Sequence, residues 1–136
     1  MKDILLIIGS ESDKKSVAPG VDLMQEKGLS FDLVVYSAHR NLTELLQFLK
    51  GAQEDYRVII TAAGLSAALP GVVASQVKNP VIGVPLVAGE LAGVEALLSI
   101  VQLPRGVPVA TMGIGKQGIL NAVLLAERIL ALAERR

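Results

Sequence analysis

The sequence predicts a three-layer α/β sandwich around a five-stranded parallel sheet of order 2-1-3-4-5. Three observations carry that prediction. Short apolar runs, such as ILLII at 4–8 and RVIITA at 57–62, lack the alternation of a half-exposed strand, so both their faces must be covered. Between such runs lie longer stretches with helical spacing and helix-end residues. Five strand-then-helix units follow one another within 136 residues, the size of one domain (1–136), as in a doubly wound sheet.

The elements follow in chain order. Residues 4–8 make the first strand and 13–27 a helix that Gly28 closes. FDLVVY at 31–36 is the second strand. The next helix opens at Asn41, with Glu44 three residues on in capping-box spacing, and continues through LTELLQFLKGA. Residues 57–62 form strand three, and Leu69-Pro70 begins a short apolar helix, proline being tolerated in a first turn. Strand four is 80–84 and the helix after it 91–102. Strand five is 107–112, where Pro108 suits an edge strand, and 116–136 is the final helix. The arrangement is flavodoxin-like.

Composition narrows the chemistry. Thirteen Lys+Arg balance thirteen Asp+Glu with no basic run, which gives no footprint for nucleic acid or an anionic membrane. Without cysteine there are no disulfides, thiolate nucleophiles or zinc-thiolate sites, and a reducing, cytoplasmic setting is expected. The apolar run at 4–8 is too short for a signal peptide or a membrane span. Hydrophobic residues reach 51% in a small domain with limited interior, so the surplus is expected to cover contacts in a homo-oligomer. Two Tyr, two Phe and no Trp leave little for a flavin to stack on.

In such a sheet ligands bind beyond the carboxyl ends of the strands. The loop Gly9-Ser10-Glu11-Ser12-Asp13 offers two hydroxyls and a helix start to a phosphate, or simply an N-cap. The second loop, Ser37-Ala38-His39-Arg40, holds the only histidine. A lone imidazole is often just a loop residue bonded to backbone. Here its place at the sheet edge and a free pKa of about 6.5 suit reversible proton transfer. Arg40 adds a planar fork for phosphate oxygens. Strand three ends in Thr61-Ala62-Ala63-Gly64, without the aspartate of a phosphoacceptor site. The run GIGKQG at 113–118 fits G-x-G-x-x-G but follows the last strand, so a tight turn with close backbone approach is expected, not a dinucleotide site. The apolar segments at 69–74 and in the final helix read as core and self-association.

The segments GSESD, SAHR, LPGVVAS, PVIGVP, LLSIVQLPRGVPVAT and IGKQGILNAVLLAERIL, in that order, resemble the 5-(carboxyamino)imidazole ribonucleotide mutase family of purine biosynthesis. The arginine after the histidine matches the mutase class; the class that carboxylates aminoimidazole ribonucleotide directly tends to carry lysine there. The resemblance implies a cofactor-free, metal-free enzyme, commonly an octamer, that moves a carboxylate from an exocyclic nitrogen to a ring carbon. It makes His39 the acid/base. Ser10, Asp13 and Arg40 would hold the ribonucleotide and its phosphate, while Ser37, Gly64, Ala67 and Leu69 would line the pocket. Where the family usually reads GGAAHLPG, this chain has Gly64-Leu65-Ser66-Ala67-Ala68-Leu69-Pro70-Gly71, and Asn41-Leu42 replaces the usual Thr-Pro. Direct carboxylation by CO2, and a non-catalytic relative that binds a phosphorylated ligand, remain open beside the mutase reading.

Overall fold

The computed structural model describes residues 1–135. Its first strand, β1 (Lys2–Ile8), shows why the sheet lies in the middle: Ile4, Leu5, Leu6, Ile7 and Ile8 are all fully buried. Burying an aliphatic side chain stabilises the fold by about 1.5–3 kcal/mol. Alternate residues of the strand serve opposite faces. Ile4, Leu6 and Ile8 join the core beneath α1 (Lys14–Glu26) and α5 (Gly115–Glu134). Leu5 and Ile7 join the core beneath α2 (Leu42–Asp55), α3 (Leu69–Gln76) and α4 (Val94–Val101).

The remaining strands are β2 (Phe31–Val35), β3 (Tyr56–Ala63), β4 (Val81–Pro85) and β5 (Ala110–Thr111). All pair in parallel in the order β2-β1-β3-β4-β5. The predicted three-layer sandwich is the one observed. The chain runs from β1 outward to β2, then crosses back to β3 on the other side of β1. The loops after β1, β2 and β3 therefore open together at that switch point.

Four local expectations differ. Strand five pairs only through Ala110 and Thr111, not over 107–112. Pro108 has no N–H to give a ladder, so pairing begins after it. Helix α4 begins at Val94, not at residue 91, because Ala92 (φ +56°) and Gly93 (φ +88°) occupy the left-handed region that a right-handed helix cannot include. A single 3₁₀ turn, Glu11–Asp13, precedes α1, and that helix continues through Pro19. The capping box is absent: Asn41 makes no side-chain bond to α2. The final helix was expected to reach 136, a residue outside those described. GIGKQG does form a tight turn, with Gly113 at φ +117° and Gly115 at φ +70°. The Gly113 carbonyl lies where a Cβ on Gly118 would stand, so the backbone approach demands glycine.

Candidate active site

The loops after β1, β2 and β3 enclose a cleft of about 560 Å³. On its first wall Ser10 adopts an extended conformation, and its Oγ accepts from Ser12 N–H at 3.3 Å, starting the 3₁₀ turn. The Ser10 and Ser12 hydroxyls are 3.0 Å apart. Asp13, behind them, has its carboxyl pushed above the ordinary carboxylate value by burial; a backbone bond with Ser10 and the charge of Arg40 pull it back only in part. Arg40 reaches across from the second loop, donating from Nη2 to the Gly9 carbonyl at 3.3 Å. Two hydroxyls and a guanidinium thus face one mouth, a suitable arrangement for a phosphate.

The second wall is the SAHR turn. Ser37 is buried, and its Oγ accepts from the backbone N–H of His39 at 3.3 Å and of Arg40 at 3.1 Å. With both N–H groups held, the His39 and Arg40 side chains project outward and both are exposed. His39 Nε2 lies 3.2 Å from the Ser66 carbonyl oxygen. A carbonyl only accepts, so Nε2 carries a proton in this contact. In the neutral ring Nδ1 is then the free basic nitrogen.

The third wall is apolar apart from Ser66. Ala63, Gly64, Leu65, Ala68, Leu69 and, from the loop after β4, Ala88 line it. Leu65 holds a left-handed backbone (φ +53°) and has its Cδ2 close to Gly89, and the residue is 55% exposed at the rim. The predicted residues Ser10, Asp13, Ser37, His39, Arg40, Gly64 and Leu69 come together around one cleft. Ala67 does not line it; it is buried in the core beside Leu69. The turn at 113–116 does not reach the cleft either. Two partners had no signature in the sequence, the carbonyls of Gly9 and Ser66, since a backbone oxygen is the same at every residue. Among the described residues, no group of three or more His, Asp or Glu side chains could hold a metal ion.

Residues 3–136 match the model of the AIR carboxylase family. The chain belongs to that family. Its AIR carboxylase relatives include the N5-carboxyaminoimidazole ribonucleotide mutase of Brucella melitensis, 46% identical over 131 residues, or 96% of this chain and 81% of that protein. The protein of the same name from Methanocaldococcus jannaschii is 47% identical over 131 residues, covering 96% of this chain and 80% of that one. Among solved structures, PurE of Treponema denticola superimposes with a TM-score of 0.84 at 28% identity, over 95% of this chain and 80% of that one. A family member thus has its lone imidazole, its arginine and its hydroxyl-rich turn around the switch-point cleft.

Proposed function

We propose that this protein interconverts N5-carboxyaminoimidazole ribonucleotide and 4-carboxy-5-aminoimidazole ribonucleotide in purine biosynthesis, with His39 as the acid/base. The observation that carries the reading is the single imidazole, tethered through Nε2 to the Ser66 carbonyl and exposed beside Arg40 at the cleft. Ser10, Ser12 and Arg40 take the phosphate, and Asp13 stands behind them to meet the ribonucleotide.

The reaction needs one proton moved twice. Protonated Nδ1 of His39 gives its proton to the exocyclic nitrogen as the carbon–nitrogen bond breaks, releasing CO2 and aminoimidazole ribonucleotide. The ring carbon of that intermediate attacks the CO2, forming the carbon–carbon bond. The same carbon then surrenders its proton to Nδ1, restoring aromaticity and reprotonating the imidazole. One group serves as acid first and base second. The apolar wall of Ala63, Gly64, Leu65, Ala68 and Ala88 supports the reading, because it offers CO2 a dry surface and little hold for water.

Self-association is part of the proposal. It is supported by Leu91, Val94, Leu98 and Val101, which leave an exposed apolar stripe along α4 and the turn before it. A cytoplasmic setting fits a biosynthetic enzyme, and no helix among the described residues is long and apolar enough to cross a membrane.

The test is turnover of N5-carboxyaminoimidazole ribonucleotide by purified protein and by His39→Asn. General acid–base catalysis contributes about 10²–10⁴-fold, so the variant should lose that much kcat while keeping the wild-type melting temperature. Full activity in His39→Asn would overturn the assignment. Faster product formation from aminoimidazole ribonucleotide and bicarbonate would identify a direct carboxylase instead.

A further inference from the structure

Asn41 stands one residue beyond SAHR, exposed and outside the cleft, at the usual N-cap position of α2. An asparagine there normally turns its side-chain oxygen toward the N–H groups of its own helix. Here it points the other way. Asn41 Oδ1 accepts from the Ser37 N–H at 3.3 Å, and the Asn41 N–H donates to the Ser37 carbonyl at 2.9 Å. The two residues clamp the turn at both ends. Inside it, Ser37 Oγ accepts from the backbone N–H groups of His39 and Arg40. Helix α2 is left without a side-chain cap. A local preference overruled in this way is expected where loop shape serves function.

We infer that Asn41 is a positioning residue: acting through Ser37, it holds the His39 imidazole and the Arg40 guanidinium at the cleft without touching a ligand. The inference rests on His39 and Arg40 being the working groups proposed above. Both take their backbone support from one hydroxyl, and the main chain of that serine is tied to Asn41 through both its N–H and its carbonyl. Losing the Asn41 amide leaves the part-buried Ser37 N–H without its acceptor and opens one end of the clamp. The His39 ring then loses its fixed relation to the Ser66 carbonyl.

Three variants test this: Asn41→Ala and Asn41→Gly, which remove the acceptor oxygen, and Asn41→Asp, which keeps it. Misplacing a working group by 1 Å costs roughly 10²-fold, so a partial loss of position should lower kcat about tenfold in the first two, with Asn41→Asp restoring it to within about threefold. In a His39→Asn background, Asn41→Ala should cause no further loss of kcat. Because His39 is the only imidazole in the chain, its ring ¹⁵N resonances also report its state without turnover. Wild type and Asn41→Asp should show the Nε2–H tautomer, and Asn41→Ala and Asn41→Gly an average of both tautomers. A residue that merely starts the helix would lower the melting temperature of Asn41→Ala and leave kcat and the ring signals unchanged; that result overturns the inference. So does an Asn41→Asp variant as impaired as Asn41→Ala. If wild type turns over neither substrate, the functional reading fails by itself. The ring resonances then still decide Asn41, unchanged signals in Asn41→Ala and Asn41→Gly counting against it. Asn41→Gly serves if Asn41→Ala does not fold, since glycine is the better tolerated of the two at a helix start.

Discussion

Two glycines flank the apolar wall, and adding one methyl group to each should have very different consequences. A Cβ on Gly64 would overlap the Cβ of Ala88 and stand 3.4 Å from the Leu86 carbonyl oxygen and 3.6 Å from Ala88 Cα. None of those atoms belongs to a flexible side chain, the Ala88 methyl being fixed directly to its backbone, and carbon pairs are comfortable only at about 3.5–4.0 Å, so backbone must move. Overpacking of this kind costs about 1–3 kcal/mol. A Cβ on Gly89 would meet Leu65 Cδ2 at 2.7 Å, but that atom ends a half-exposed leucine that can swing into solvent. Neither glycine has a positive φ, so alanine also lowers the entropy of the unfolded chain, a gain of about 0.4–1 kcal/mol. Gly89→Ala should therefore be close to neutral and Gly64→Ala clearly destabilising. Urea unfolding reads the difference. With a slope of about 2 kcal/mol per molar, a cost of about 2 kcal/mol lowers the midpoint by about 1 M. Ala88→Gly removes the colliding methyl and should recover most of the loss in the double variant. Equal midpoints for the two single variants, or no recovery in the double, would refute the argument that rigid neighbours set the cost.

Two further outcomes follow from charge. Arg40→Ala removes a charged hydrogen bond from the proposed phosphate side, a loss of about 1.5–3 kcal/mol, so KM for the ribonucleotide should rise about 10- to 150-fold. An unchanged KM would take Arg40 out of the binding reading. On the opposite edge of the sheet, the Tyr56 hydroxyl donates to Asp32 at 2.5 Å and Lys2 Nζ to the same carboxylate at 2.6 Å. Burial, then the bond and charge of Asp32, push Tyr56 up to about 12, while Lys2 and then Tyr56 hold Asp32 below the ordinary carboxylate value. A raised phenol contributes stability that is complete below about pH 10 and is lost as pH climbs toward about 12. Asp32 works in the opposite sense: its contribution is present above the ordinary carboxylate value and disappears as acid protonates it. A spectrophotometric titration should show a tyrosine resisting ionisation until about pH 12 and losing that step in Tyr56→Phe. If every tyrosine ionises near its ordinary value, the Tyr56–Asp32 bond does not persist in solution.

Legibility in the sequence follows physical range. The apolar run at 4–8 and the apolar centre of 57–62 specified buried parallel strands, because a strand covered on both faces shows no alternation of apolar and polar residues. Sheet order then placed the GSESD, SAHR and Gly64 loops on one edge. Seven of the predicted site residues met there, since topology alone sets which strand ends converge.

Details that depend on how each loop folds, and on which backbone group a side chain meets there, were decided only by the folded chain. Ala67 and Ala68 are chemically identical, yet the turn after β3 buries one in the core and leaves the other on the cleft. Asn41 has the spacing of a helix cap, but the Ser37 N–H four residues back competes for its oxygen and prevails. The nitrogen of His39 that holds the proton is chosen by a carbonyl 27 residues away. Side-chain types and their periodicity carry the architecture. The aim of a loop side chain depends on backbone donors and acceptors that every residue shares, and only tertiary contact distinguishes among them.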